Sequence, residues 1–353
     1  MLADPESDLL QIAPPEVSQA DAEAIARQFY GFASTAKQLT GERDLNFLMT
    51  GEVGLKRVLK IANAGEAEAT LDFQISALRH LAVSDCRDLV PTVIVALSGE
   101  ALLRVTDRSG RPHFAYMLSF IDGLPMAVST PVRDAHACKQ IGILLGRLDV
   151  AMADFRHPAQ VRHLLWDLSL VAEMRPKLMT VDDPMVRNLA LDAIDRFEDE
   201  VLPVLPSLHR QVIHNDLNPH NLILATADPF RVAGIIDFGD MLEGPRANDV
   251  AVAASYHFHE GPDAAAALVA GYHATVSMTE QELAIVPLLI AARSVLTIGI
   301  TSWRAQLYPE NRVYIQRNRP AAVRTLTVLH GDGGKRLHDK IETFCQQDMN
   351  DND

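Results

Sequence analysis

Three features are missing from this chain, and each narrows what it can be. It has only three cysteines in 353 residues, Cys86, Cys138 and Cys345, with no pair at zinc-ribbon or CxxC spacing. A disulfide framework is therefore not expected, and a reduced, cytoplasmic compartment is. Long apolar runs are also absent except at residues 283–301 (LAIVPLLIAARSVLTIGIT), where Pro287 and Arg293 interrupt. A charge at mid-span is costly and a spanning helix needs about 20 mainly apolar residues, so this run reads as a buried helix and no membrane partner is expected. No Lys/Arg run with interleaved aromatics appears, and 46 acidic against 32 basic side chains give a net charge of −14. That sign repels phosphate backbones, which argues against nucleic acid and suits a small cationic partner. The opening MLADPESDLL has neither a basic n-region nor an apolar h-region, so no secretory signal is expected there.

What is present is an ordinary globular composition, 48% apolar, at a length that suits two domains or one large bilobed one. Residues 1–32 read as a tail followed by a helix. Residues 33–63 change texture: short apolar stretches separated by Gly41 and by GEVG at 51–54 predict three strands, the second and third joined by a tight hairpin. Leu71, Ile75, Leu78 and Leu81 recur at helical steps, predicting a helix over 66–81. Further strands are expected at 90–97, 101–105 and 113–121, closing an N-lobe over 33–121. From 131 onward the periodicity is helical, interrupted once by a β-rich stretch at 211–240. The expectation is an α+β, bilobed fold: a small β-rich N-lobe and a larger helical C-lobe over 122–353 that carries one buried β-hairpin.

That hairpin carries the chemistry. Two apolar strands, 222–225 and 232–236, flank TADPFR, and folding them about a point near residue 229 sets Asn221 across from Asp237. Two hard oxygen ligands at one end of a rigid ribbon suit Mg²⁺, which takes few protein oxygens and keeps its other positions for water and phosphates. Asp216, in a loop stiffened by Pro219, is placed to orient a hydroxyl and accept its proton. The pattern is His214-x-Asp216-x4-Asn221 followed by Asp237-Phe238-Gly239, a kinase catalytic loop and metal motif. Both elements within one short window arise by accident in about one chain in ten thousand of this size.

At these residues the sequence resembles the aminoglycoside phosphotransferase and choline kinase superfamily, small-molecule kinases with a protein-kinase-like fold. Within it, GERDLNF at 41–47, VLKIAN at 58–63, LRHL at 78–81, LLWDL at 164–168, VIHNDLNPHN and GIIDFGDM resemble the hydroxylysine kinase-like branch. The resemblance implies transfer of the γ-phosphoryl group of ATP or GTP to the hydroxyl of an amine-bearing small molecule, a hydroxylysine-like amino acid or an amino alcohol. By this resemblance Asp216 is the catalytic base, Asn221 and Asp237 hold Mg²⁺, and Lys60 holds the α/β-phosphates. The purine is expected between Val58 on one side and Ile223 and Ile236 on the other, with hinge backbone between Ser119 and Ile121 at its edge. Asp249, in a first helical turn, resembles the aspartate that braces the catalytic loop, beside His214.

The departures from the pattern are informative too. No GxGxxG is present; the turn containing Gly41 is short, so phosphate cover must come from few amides. Gln74 stands where a kinase places the glutamate paired to its lysine, with Glu66, Glu68 and Asp72 as open alternatives. Only nine residues separate Gly239 from Asp249, too few for an activation loop, which argues against a protein substrate. For the acceptor, Asp240 and Glu243 are candidates to face an ammonium group, with Trp166 and Tyr256 nearby candidates. Arg293 is read either as a carboxylate binder or as a buried ion pair. His257 and His259 have no third metal ligand at useful spacing, and no zinc is expected. A homoserine, choline, ethanolamine or aminoglycoside kinase, or a pseudokinase module, stays open as the alternative, as does a homodimer.

Overall fold

A computed structural model describes residues 12–39, 44–128 and 134–350. Helix α1 (Gln19–Tyr30) starts at Ser18, whose hydroxyl accepts from the Asp21 amide while the Asp21 carboxylate accepts from the Ser18 amide, a reciprocal cap. It ends at Gly31, whose φ of 60° lets the chain reverse in the left-handed region. Ala22, Ala26 and Tyr30 on its inner face share one core with Phe47, Met49, Leu59, Ile61 and Met117, so the helix set apart in the sequence reading packs onto the sheet that follows it.

That sheet contains β1 (Ser34–Leu39), β2 (Leu45–Gly51), β3 (Lys56–Ile61), β4 (Val93–Ile94), β5 (Leu103–Thr106) and β6 (Pro112–Ser119), with α2 (Glu68–Leu81) inserted after β3. The order is β1-β2-β3-β6-β4, with β5 also on β6, and every pairing is antiparallel. The strand expected at 90–97 shrinks to Val93–Ile94. The cause is local: a turn in which the Ala96 amide donates to Glu100 O at 2.8 Å and Gly99 takes a φ of 91° ends the pairing early. The chain divides into two compact units; this first one spans residues 1–123 and includes 157–159 and 233–236.

The second unit comprises β7 (Leu124–Pro125), α3 (Ala135–Met152), α4 (Arg175–Leu178), α5 (Pro184–Arg196), β8 (Arg210–Ile213), β9 (Leu222–Ala225), most of β10 (Asp228–Ile235), β11 (Leu242–Pro245), α6 (Arg246–His257), α7 (Pro262–Val276), α8 (Glu280–Leu307), α9 (Arg312–Ile315), α10 (Arg319–Leu329) and α11 (Gly333–Asn350). Strands β10-β9-β7 form one small sheet and β11-β8 another. Helices α3 and α7 cross at two glycines. A Cβ on Gly142 would lie 1.9 Å from Leu268 O, and one on Gly271 would lie 2.2 Å from Lys139 O, so only hydrogen at both positions permits this approach. The apolar run expected as a buried helix is α8, 89% buried over its most apolar window and started by a Thr279/Glu282 capping box.

The hairpin departs from expectation in one respect. Its loop is Thr226 and Ala227 alone, because Asp228 and Pro229 already belong to β10. The fold point is thus earlier than residue 229, and counting from it no longer sets Asn221 against Asp237. A two-residue loop is the commoner hairpin connection, and the exposed start of β10 tolerates Pro229 as an edge strand does.

Candidate active site

Strand β8 delivers the loop containing His214, Asn215 and Asp216, and α6 holds it in place. Asp249, in the first turn of α6, accepts the His214 amide at 2.9 Å on one carboxylate oxygen and the Asn215 amide at 2.8 Å on the other. Asp249 is fully buried, and burial is the main influence pushing its carboxyl up. Asn215 takes a φ of 63° and Asp237 one of 64°, left-handed conformations that Asn and Asp tolerate better than bulkier residues. His214 Nδ1 accepts the Asp216 amide at 3.3 Å, and its ring packs edge-on to Phe238 with centroids 4.9 Å apart. The two motifs that the sequence separates thus meet in the second unit.

Asp216 is the centre of this arrangement. One carboxylate oxygen accepts Arg293 Nη2 at 3.0 Å; the other accepts Asn218 Nδ2 at 2.8 Å and Asn221 Nδ2 at 3.0 Å. Asn221 Nδ2 also donates to the Asp216 carbonyl at 2.9 Å. With its nitrogen committed, the amide oxygen of Asn221 is the atom left for a cation, and Asp237, exposed in its left-handed conformation, supplies a carboxylate. Desolvation raises the Asp216 carboxyl to about 7; Arg293 opposes the rise, while Asp240 and Asp237 add to it. Its side chain keeps 20% exposure, enough for one face to meet a substrate hydroxyl.

Arg293 is buried, its side chain only 3% exposed. Besides Asp216, its Nη2 donates to the Tyr256 hydroxyl at 2.8 Å, and its guanidinium lies 4.4 Å from the Trp166 ring centroid. The ion-pair alternative is the arrangement found, and Trp166 packs against the guanidinium that holds Asp216. Glu243 accepts Gln160 Nε2 at 2.6 Å and has Arg210 Nε at 3.9 Å. Asp240 lies close enough to Asp216 to raise it.

In the first unit, Lys60 and Tyr116 are cross-strand partners on β3 and β6, with the ammonium 5.7 Å from the ring centroid. The Tyr116 hydroxyl donates to Gln74 Oε1 at 3.2 Å, so the residue at the glutamate position reaches the lysine's neighbour through a tyrosine. Of the alternative acids, Glu68 pairs with Arg104 at 2.6 Å and Asp72 with His157 at 3.1 Å. Val58 is half-buried on β3. The Ser119 amide donates to Thr92 O at 2.8 Å and is therefore committed, and Ile121 packs where a Cβ on Gly234 would meet it at 2.5 Å. Ile236 belongs to the same unit and is half-buried, while Ile223 lies buried in β9 of the second. Gly41 lies outside the described residues.

Sequence reading missed three supports. Tyr272 donates a short hydrogen bond to Asp149, whose carboxyl burial and the adjacent Asp249 push far upward, so a buried acid pair stands behind the loop brace. Arg162 donates to the Gly239 carbonyl at 2.9 Å and steadies the turn after Asp237. Asn218 fixes Asp216. Asp149 occupies an apolar helical stripe, where a single acid was the available signal; Arg162 carried none.

A family model for the phosphotransferase enzyme family matches residues 35–284. The chain belongs to that family. It is similar to hydroxylysine kinase from Mus musculus, 25% identical over 358 residues that cover 93% of each chain. Among solved structures it is similar to the microcompartment-associated aminopropanol kinase, with a TM-score of 0.66 at 17% identity over 93% of this chain and 99% of that one. Amicoumacin kinase, solved with AMP-PNP, Ca²⁺ and amicoumacin, gives a TM-score of 0.65 at 15% identity, covering 88% and 94%. The fold class is the α+β, protein-kinase-like one, and the resemblance to the hydroxylysine kinase-like branch holds over most of the chain. This phosphotransferase is a small-molecule kinase that phosphorylates an alcohol.

Proposed function

We propose that this kinase phosphorylates the hydroxyl of a small amine-bearing molecule, a hydroxylysine-like amino acid first among them, with Asp216 as the base. The observation that carries this reading is the set of contacts on Asp216: two amides and one guanidinium fix both carboxylate oxygens beside Asn221 and Asp237. The amide oxygen of Asn221 and the carboxylate of Asp237 fit Mg²⁺, a hard cation that favours oxygen donors. When bound there it neutralises the phosphates of the nucleotide. Lys60 holds those phosphates, Asn221 orients Asp216 through its amide, and Asp216 aligns the acceptor hydroxyl and takes its proton as the oxygen–phosphorus bond forms and the bond from the γ-phosphorus to the departing nucleoside diphosphate breaks. Positioning and electrostatics supply most of the acceleration, since a loose phosphoryl transition state leaves little covalent work.

Asp240 supports a cationic acceptor, because its charge already acts on Asp216. ATP and GTP are both candidate donors; the solved amicoumacin kinase binds AMP-PNP and Ca²⁺. Three cysteines that form no disulfide fit a reducing compartment, and we place the enzyme in the cytoplasm. Multiple-turnover assays with both nucleotides against hydroxylysine, homoserine, aminopropanol, ethanolamine, choline and an aminoglycoside test the acceptor. Hydroxylysine is expected to give the highest kcat/KM; a preference for choline, which lacks both a primary amine and a carboxylate, would refute the amino-acid reading.

A further inference from the structure

Away from the catalytic loop, Cys138, His257 and Glu260 bring a sulfur, an imidazole nitrogen and a carboxylate oxygen within 4.8 Å of one another. The sequence gives no hint of this, because Cys138 and Glu260 are 122 positions apart. Cys138 lies in the first turns of α3, His257 is the last residue of α6, and Glu260 closes the short 3-10 turn that follows. All three positions are on regular elements. Cys138 and His257 are fully buried and the Glu260 side chain is 10% exposed, so a carboxylate, an imidazole and a thiol converge where water scarcely reaches.

The imidazole–carboxylate spacing bears on two explanations, a hydrogen-bonded triad and a ligand set; the sulfur–oxygen spacing suits both. Glu260 Oε2 stands 3.5 Å from Cys138 Sγ and 3.3 Å from His257 Nδ1. A charge-assisted hydrogen bond from imidazolium to carboxylate is shorter, about 2.7–2.9 Å. In a tetrahedral zinc site, bonds of about 2.3 Å to sulfur and about 2.0 Å to nitrogen and oxygen set edges of about 3.5 Å for S···O and about 3.3 Å for N···O. Both observed separations equal those edges. One oxygen, Oε2, meets both partners, as a monodentate carboxylate ligand would, and the donor set of one thiolate, one imidazole and one carboxylate is of the type zinc accepts.

We propose that Cys138, His257 and Glu260 form a zinc-binding site with one open coordination position. It is distinct from the cation site at Asn221 and Asp237, which contains no sulfur or nitrogen ligand. The site ties the start of α3 to the end of α6, immediately after Tyr256, which hydrogen-bonds Arg293.

Cobalt tests this on the full-length protein, stripped with chelator and then titrated with Co²⁺ in excess Mg²⁺. One equivalent is expected to produce a near-ultraviolet thiolate-to-cobalt band and the intense visible bands of four-coordinate Co²⁺, both removed by added Zn²⁺. Cys138→Ser should lose the thiolate band, and Cys345→Ser should keep it. Glu260→Gln preserves size and a hydrogen-bond acceptor, so a hydrogen-bonded triad would tolerate it; a zinc site should lose about 10-fold or more in Co²⁺ affinity. No thiolate band in the unmodified protein, a band surviving Cys138→Ser, or unchanged affinity in Glu260→Gln would each overturn the proposal. Because the readout requires sulfur ligation, it does not depend on the catalytic cation or on turnover.

Discussion

Asp216 and Asp249 are aspartates of the same unit, both desolvated, yet they are held in opposite ways. Asp249 is sealed in, its two oxygens receiving backbone amides of the catalytic loop. Asp216 is held only by side chains, one guanidinium and two carboxamides, and keeps 20% of its surface open. The first arrangement fixes backbone and leaves nothing for a ligand. The second fixes a carboxylate in space while leaving one face for chemistry, and it places two further acids nearby that make its charge costly. A bracing aspartate and the proposed base thus differ less in burial than in what holds them and what is left over.

Removing the brace should have the largest effect on stability. Asp249→Ala leaves two buried amides without acceptors, each costing about 1–3 kcal/mol, so urea denaturation should show a loss of about 2–6 kcal/mol. Asp249→Asn, which retains one acceptor, should lose about half as much; equal stability of Asp249→Ala and the parent would remove the distinction between the two aspartates. Arg293→Met tests the side-chain hold on Asp216. It should lower kcat by about 10- to 100-fold with little change in nucleotide KM. With Asp216 acting as the carboxylate, as proposed, activity is expected to fall as pH drops through its pKa near 7; without Arg293 that acid limb should move to higher pH.

A further effect concerns the cost of burying the proposed base. The folded Asp216 carboxyl titrates near 7, above the unfolded value of 3.8, so the native state binds more protons between those values and stability declines as pH rises from 4 to 7. Asp216→Asn removes that slope. In cation-free buffer its stability relative to the parent should improve by about 4 kcal/mol between pH 4 and pH 8. A pH-independent difference would mean that Asp216 carries no such burden.

Much of this was legible in the chain. Period-two and period-3.6 patterns located the sheet, α2 and α8, and motif spacing singled out His214, Asp216, Asn221 and Asp237 because local chain geometry alone places a catalytic loop before its hairpin. Positions set by tertiary packing were not legible. The hairpin's fold point moved because Asp228-Pro229 extends β10. The partners of Gln74, Asp149 and Cys138 come from distant segments, Tyr116, Tyr272 and Glu260, that no spacing rule connects. Arg293 was visible as a charge in an apolar run, but its partner became clear only when α8 and the catalytic loop were seen together.

The most direct test is the turnover of Asp216→Asn, measured beside its nucleotide affinity in Mg²⁺. Asn keeps the size of the side chain and an acceptor for Asn218 and Asn221 but cannot take a proton. The expected result is a kcat lower by about 10³-fold, with nucleotide affinity within about twofold of the parent. Turnover within about tenfold of the parent would contradict the assignment of Asp216 as the base.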